Sequence, residues 1–186
     1  MRADARRRRE AIIEAAKTVF AAGPDSGTLE DVAKVAGVGI ATVYRNFRDK
    51  DALLIALLDD LLAAIVTLQE DTLASFESLP ERKWHAYAHG LIDLGLAPLI
   101  VKASDDTVRE LLPHFLEFRD QITANNRRIV GLARQHGLVR ADISSALFIN
   151  GIIQAARPAV TTILPAVPNV ETQLVDIVLT GLRPAP

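Results

Sequence analysis

Between Pro24 and Pro80 the chain contains no proline, and within that stretch Leu54, Leu57, Leu58, Leu61, Ile65 and Leu68 recur at steps of three and four residues. Such steps stack side chains on one face of a helix, whereas a strand would send alternate residues to opposite faces. A long helix is therefore expected from about residue 50, with Asp49 placed to cap its first turn. The rest of the chain has the same character, and no segment alternates apolar and polar residues cleanly. The expected fold class is all-α.

The punctuation divides this helical chain. Ile12, Ala16 and Val19, flanked by Ile13 and Phe20, mark one face of a first helix over about Ala5–Ala22. "GPDSG" at 23–27 breaks it. Thr28 is a good N-cap with Asp31 three residues on, close to a capping box, so a second helix is expected over Leu29–Ala36, ended by Gly37. A short helix follows at 40–46. Beyond the long helix, Pro80 fits the first turn of "PERKWHAYAHGLIDLGL". A helix over 107–136 carries Pro113 as a kink or a fresh start and is closed by Gly137. The last two helices are expected at about 142–161 and 170–182.

The stretch "VAGVGIATVYRNFRDK", residues 35–50, completes a helix-turn-helix pattern. Two short helices that cross closely need a small residue at the contact, and Ala33 supplies it. The turn needs a residue that tolerates positive φ, and Gly37 supplies that. Val32, Val38 and Val43 are placed to fill the wedge. The second helix is too short to stand alone and has to be held by its neighbours. Gly39, Ala41 and Thr42 are small enough for its start to approach a major groove. Tyr44 and Lys50 suit phosphate contacts, while Thr42 and Arg45 suit base edges or phosphates. Charge agrees: residues 1–50 carry ten Lys/Arg against seven Asp/Glu, and the remainder carries 11 against 16. A basic head on an acidic body suits a polyanionic partner.

"RREAIIEAAKTVFAAGPDSGTLEDVAKVAGVGIATVYRNFRDKDALL" resembles the DNA-binding domain of the TetR family of transcriptional regulators. The resemblance implies that Thr28, Thr42, Tyr44 and Lys50 stand where family members commonly touch DNA, and Arg45 and Asn46 share that short helix. Family members often carry serine at the position of Gly39 and histidine at that of Asn46. Arg6–Arg9 resemble the arm that some members lay in the minor groove, with solvated disorder as the alternative. The implied organisation is an N-terminal three-helix DNA-binding domain at 1–50 and a helical ligand-binding and dimerisation domain at 51–186. "WHAYAHGLIDLGLAPLI", "LLPHF" and "GLARQHGLVRADI" resemble a TetR-family C-terminal class.

Residues 143–186 contain only Arg157, Glu171, Asp176 and Arg183 as charged groups, too few for a helix pair with a wet face. A second copy of the chain is the simplest cover. Gly151, Ala155 and Ala159 form a small-residue stripe for close approach, and Leu174, Ile177 and Val178 complete the expected dimer interface. Trp84, His85, His89, Phe115, Phe118 and Arg119 are candidates to line a pocket for an unknown small-molecule effector.

Other chemistries have less support. His85, His89 and Asp93 fall at i, i+4 and i+8, with His114 as a possible fourth ligand. The arrangement is not HExxH and no thiolate backs it, so no metal and no cofactor are expected. No nucleophile elbow and no glycine-rich phosphate loop occur, which disfavours an enzyme. The chain has no cysteine, no apolar signal core after its basic start, and no apolar run near the roughly 18 residues of a membrane span. The expectation is a cytoplasmic homodimeric regulator, a repressor, that binds a palindromic double-stranded DNA operator and answers to an effector. Its rivals are a helical scaffold that has lost DNA reading and an enzyme using the body cavity.

Overall fold

The computed structural model describes residues 2–21, 26–95, 105–157 and 167–184. Among them are eight α-helices and no strand: α1 (Arg2–Val19), α2 (Leu29–Ala36), α3 (Ile40–Asn46), α4 (Lys50–Ser75), α5 (Pro80–Asp93), α6 (Asp105–Gln135), α7 (Ser145–Ala155) and α8 (Val170–Gly181), with a 3₁₀ turn at Phe76–Ser78. The all-α expectation holds. No helix among the described residues is long and apolar enough to cross a membrane.

The chain packs as two compact units, Met1–Leu61 with Pro98–Glu117, and Leu62–Ala97 with Phe118–Pro186. In the first, α1 packs on α2 and α2 on α3. Ile12 and Ala16 of α1, Phe20 just after it, Val32 and Ala33 of α2, Val43 of α3 and Leu53, Leu54, Leu57 and Leu58 of α4 form the buried centre. Solvated disorder does not describe Arg6–Arg9: they lie within α1, which begins at Arg2. Local charge pairs accompany this start, Arg7 with Asp4 at 2.6 Å and Arg6 with Glu10 at 3.4 Å. Asp49 caps α4 as expected, its carboxylate accepting from the Ala52 N–H at 2.8 Å.

In the second unit, α5 packs against α7 and α8, and α7 against α8. Trp84, Tyr87 and Phe148 form an aromatic centre, with the Trp84 and Phe148 rings 4.5 Å apart. Gly90 lets α5 approach α4, since a Cβ there would lie 2.9 Å from Leu68 Cδ2. Helix α5 ends at Asp93 rather than at 96, and α7 starts at Ser145 because the Ser144 hydroxyl caps it, accepting from the Leu147 N–H at 3.0 Å. Pro113 neither splits nor restarts α6, which is one helix through it. Gly137, at φ 70°, closes the turn after it. The expected continuation of α7 beyond residue 157 lies outside the described residues up to 166.

A polar network crosses this core. The Gln69 amide donates to Tyr87 Oη and to the Ile122 carbonyl, each at 3.1 Å, and Tyr87 donates to Asn126 Oδ1 at 3.2 Å. Burial pushes the Tyr87 phenol from 10.0 up to about 12, against a smaller opposing pull from the Gln69 hydrogen bond. Between these values the unfolded chain releases the proton that the folded chain keeps. Stability is therefore whole below about pH 10 and falls as pH rises, by roughly 2–3 kcal/mol once the folded phenol also ionises. Urea denaturation at about pH 9 and about pH 11.5 should show most of that loss. The Tyr87→Phe variant should lack it.

Candidate nucleic-acid interface

The helix-turn-helix is built from local signals. Thr28 and Asp31 form a complete capping box: the Thr28 N–H donates to Asp31 Oδ2 at 3.0 Å, and the Asp31 N–H donates to Thr28 Oγ1 at 3.2 Å. The Thr28 hydroxyl, donating to Asp31 Oδ2 at 2.8 Å, and then the Thr28 N–H hold the Asp31 carboxyl below the usual carboxylate range. Gly37 ends α2 at φ 66°, ψ 31°, the left-handed region that costs a side-chain-bearing residue about 1–2 kcal/mol. The Val38 N–H then returns to the Ala33 carbonyl at 3.0 Å, closing the turn. Gly39 has an ordinary φ of −70°, and a Cβ there would meet nothing within 4 Å. The fold does not demand glycine at 39, and a serine would fit.

Val43 anchors α3, being fully buried, while Tyr44 and Arg45 are exposed and Thr42 is half-buried. Arg45 is pre-set along the helix: its Nε donates to the Ala41 carbonyl at 3.2 Å and its Nη2 to Thr42 Oγ1 at 2.9 Å. Asn46 turns back, its amide donating to the Thr42 carbonyl at 2.8 Å. Lys50 does the same on a larger scale. Its Nζ donates to the Gly27 carbonyl at 3.0 Å and sits 5.3 Å from the centre of the Phe20 ring. Of the six expected DNA-contacting residues, Thr42, Tyr44 and Arg45 thus form one group on α3. Thr28 caps α2, and Asn46 and Lys50 hold backbone carbonyls of the head. Arg9, the last of the Arg6–Arg9 run, lies 5.1 Å over the Phe47 ring and belongs to the same unit.

The body residues separate more sharply. Trp84 does not line an open surface; it is core, 1% exposed. An open groove at the start of α5 is lined by Ser78, Leu79, Pro80, Glu81, Arg82 and His85, and so contains one of the six expected pocket residues. Phe118 is half-buried, Arg119 is exposed and paired with Asp120 at 3.1 Å, and Phe115 belongs to the first unit. His114 is also in the first unit, 3.2 Å from Asp59. Near His85 and His89 stands Asp176 of α8, with Asp176 Oδ1 2.9 Å from His89 Nε2. No sequence signal joined residues 87 positions apart.

Ala155 is buried in the core of its own chain, and a Cβ on Gly151 would lie 3.8 Å from Val178 Cγ1 of α8. That distance is ordinary van der Waals contact, and Gly151 itself is half-buried. Ala159 lies outside the described residues. What α7 and α8 leave exposed is Leu147, Leu174 and Ile177, the last at 67%.

Comparison with known proteins agrees with this architecture. Residues 12–57 match the family described as bacterial regulatory proteins, tetR family, and residues 80–184 match the family described as transcriptional regulator SbtR-like, C-terminal domain. An HTH-type transcriptional regulator of Staphylococcus aureus is 32% identical over 83 residues, 44% of this chain and 44% of that protein, so the match spans less than half of that relative. A TetR transcriptional regulator of Streptomyces coelicolor is 27% identical, with a TM-score of 0.68 over 96% of this chain and 99% of that one. The TetR regulatory protein of Mycobacterium vanbaalenii is 26% identical, with a TM-score of 0.64 over 98% of each chain. LfrR of Mycobacterium smegmatis, solved with proflavine, shares the fold at 21% identity and a TM-score of 0.65, over 95% of this chain and 94% of that one. One family match lies over the helix-turn-helix and the other over more than half of the chain; the chain belongs to the TetR family of bacterial transcriptional regulators.

Proposed function

We propose that the chain is a homodimeric repressor that binds a two-fold symmetric operator and is released from it by a small-molecule effector held in the helical body. The observation that carries the reading is α3: a seven-residue helix anchored by Val43, presenting Thr42, Tyr44 and Arg45, on a head whose charge is positive. Residues 1–50 do the DNA reading and 51–186 the pairing and sensing. Thr42 and Arg45 reach base edges, Tyr44 reaches phosphate, and Thr28, Asn46 and Lys50 border the same contact. Leu147, Leu174 and Ile177 are the apolar groups that a second copy covers. The effector acts by binding better to the arrangement that cannot span both half-sites. Helix α4 is the covalent route, because it contributes residues to both units.

Equilibrium binding to operator variants across a range of salt concentrations tests the reading. Tyr44→Phe should weaken every sequence by a similar factor. Lys50→Ala should do so too and reduce the salt slope by about one unit. Arg45→Ala should instead change the preference between variants, by about 1–3 kcal/mol at the position it reads. Unchanged affinity in all three variants would remove α3 from the interface.

A further inference from the structure

His85 and His89 are one turn apart on α5, with ring centroids 6.5 Å apart and planes inclined by 29°. Asp176 reaches them from α8. One ligand atom from each of the three residues can be chosen so that all lie within 4.8 Å of one another. We infer that His85, His89 and Asp176 form a binding site for a divalent transition metal of the zinc class. The inference stands apart from the regulator reading, since metal binding requires neither DNA nor a second chain.

The geometry is close to what such an ion needs. Tetrahedral zinc with nitrogen and oxygen ligands at about 2.0–2.1 Å holds those ligand atoms about 3.3–3.4 Å apart. The His89–Asp176 separation of 2.9 Å lies just below that spacing, and no separation in the set exceeds 4.8 Å. Two imidazoles and a carboxylate leave one coordination position for water or a small ligand. The donor set suits zinc, cobalt(II) or nickel(II) better than calcium or magnesium, which prefer oxygen.

A simple ion pair accounts for less. It explains His89 and Asp176 but leaves His85, which makes no hydrogen bond to another described residue. Glu81, one turn before His85, is taken up by its hydrogen bond to Arg183 and leaves His85 without a carboxylate partner on α5. The third ligand is what the sequence pattern lacked. Asp93 follows on the same helix, but the fold brings Asp176 to the histidines instead.

The test uses the full chain without a histidine tag, stripped with a chelator and titrated with cobalt(II). The expected result is saturable binding of one ion per chain, with visible absorption bands of four- or five-coordinate cobalt that zinc abolishes by displacement. His85→Ala and Asp176→Asn should each weaken binding by more than the about tenfold that loss of even a supporting partner costs. Asp93→Asn should leave it unchanged. All three side chains lie on helix surfaces, and circular dichroism confirms folding of each variant. Absence of saturable binding, or equal affinity in the parent and both ligand variants, would overturn the site. A loss with Asp93→Asn as large as with Asp176→Asn would also overturn it.

Discussion

Ile177→Asp should turn a dimer into a folded monomer and abolish specific operator binding. Ile177 is 67% exposed in the single chain, so aspartate there costs the monomer little. In a dimer that covers it, the carboxylate is buried without a partner, at about 3–5 kcal/mol for an uncompensated charge. Dimer affinity should fall at least about a hundredfold. The head residues are untouched, yet one head makes few base contacts. Its partner is no longer held beside the second half-site, so the gain in effective concentration is lost. Light scattering reports the mass, and a gel-shift titration the affinity. Ala155→Asp serves as the contrast: its side chain sits in the core of its own chain, so that variant should unfold rather than merely dissociate. If Ile177→Asp stays dimeric, the copies meet elsewhere.

Trp84→Ala should destabilise the second unit by about 3–5 kcal/mol, the range for removing a large aromatic from a packed core. Trp84 packs on Phe148 at 4.5 Å and lies 6.4 Å from Tyr87, and its helix is held by both α7 and α8. Chemical denaturation followed by circular dichroism measures the loss. A cost below about 1 kcal/mol would mean that Trp84 borders space able to collapse, as a pocket-wall residue does.

The two outcomes turn on a distinction that sequence pattern does not encode. Periodicity says which residues leave water, not whether their own chain or a second copy covers them. The low charge of residues 143–186 was legible, whereas the burial of Ala155 in the core of its own chain was not, because small-residue spacing does not say which helix it faces. Trp84 was marked by residue type, and only packing shows it as core. The head was more legible because its signals are local. Thr28 with Asp31, Gly37 at positive φ and Asp49 before α4 each act within four residues, and all three appear in the structure as the sequence implied. Lys50 and Asp176 mark the limit in the other direction. Lys50 reaches the Gly27 carbonyl and Asp176 reaches His89 across separations that no motif spans.

Two-fold reading of DNA is tested by selecting bound sequences from a random duplex pool with the purified 186-residue chain and weighing the complex on the winning site. The account predicts enrichment of one inverted repeat, occupied by an even number of chains, with enrichment lost when Thr42, Tyr44 and Arg45 are replaced together by alanine. Failure to enrich any sequence, or enrichment of an asymmetric site filled by a single chain, would contradict it.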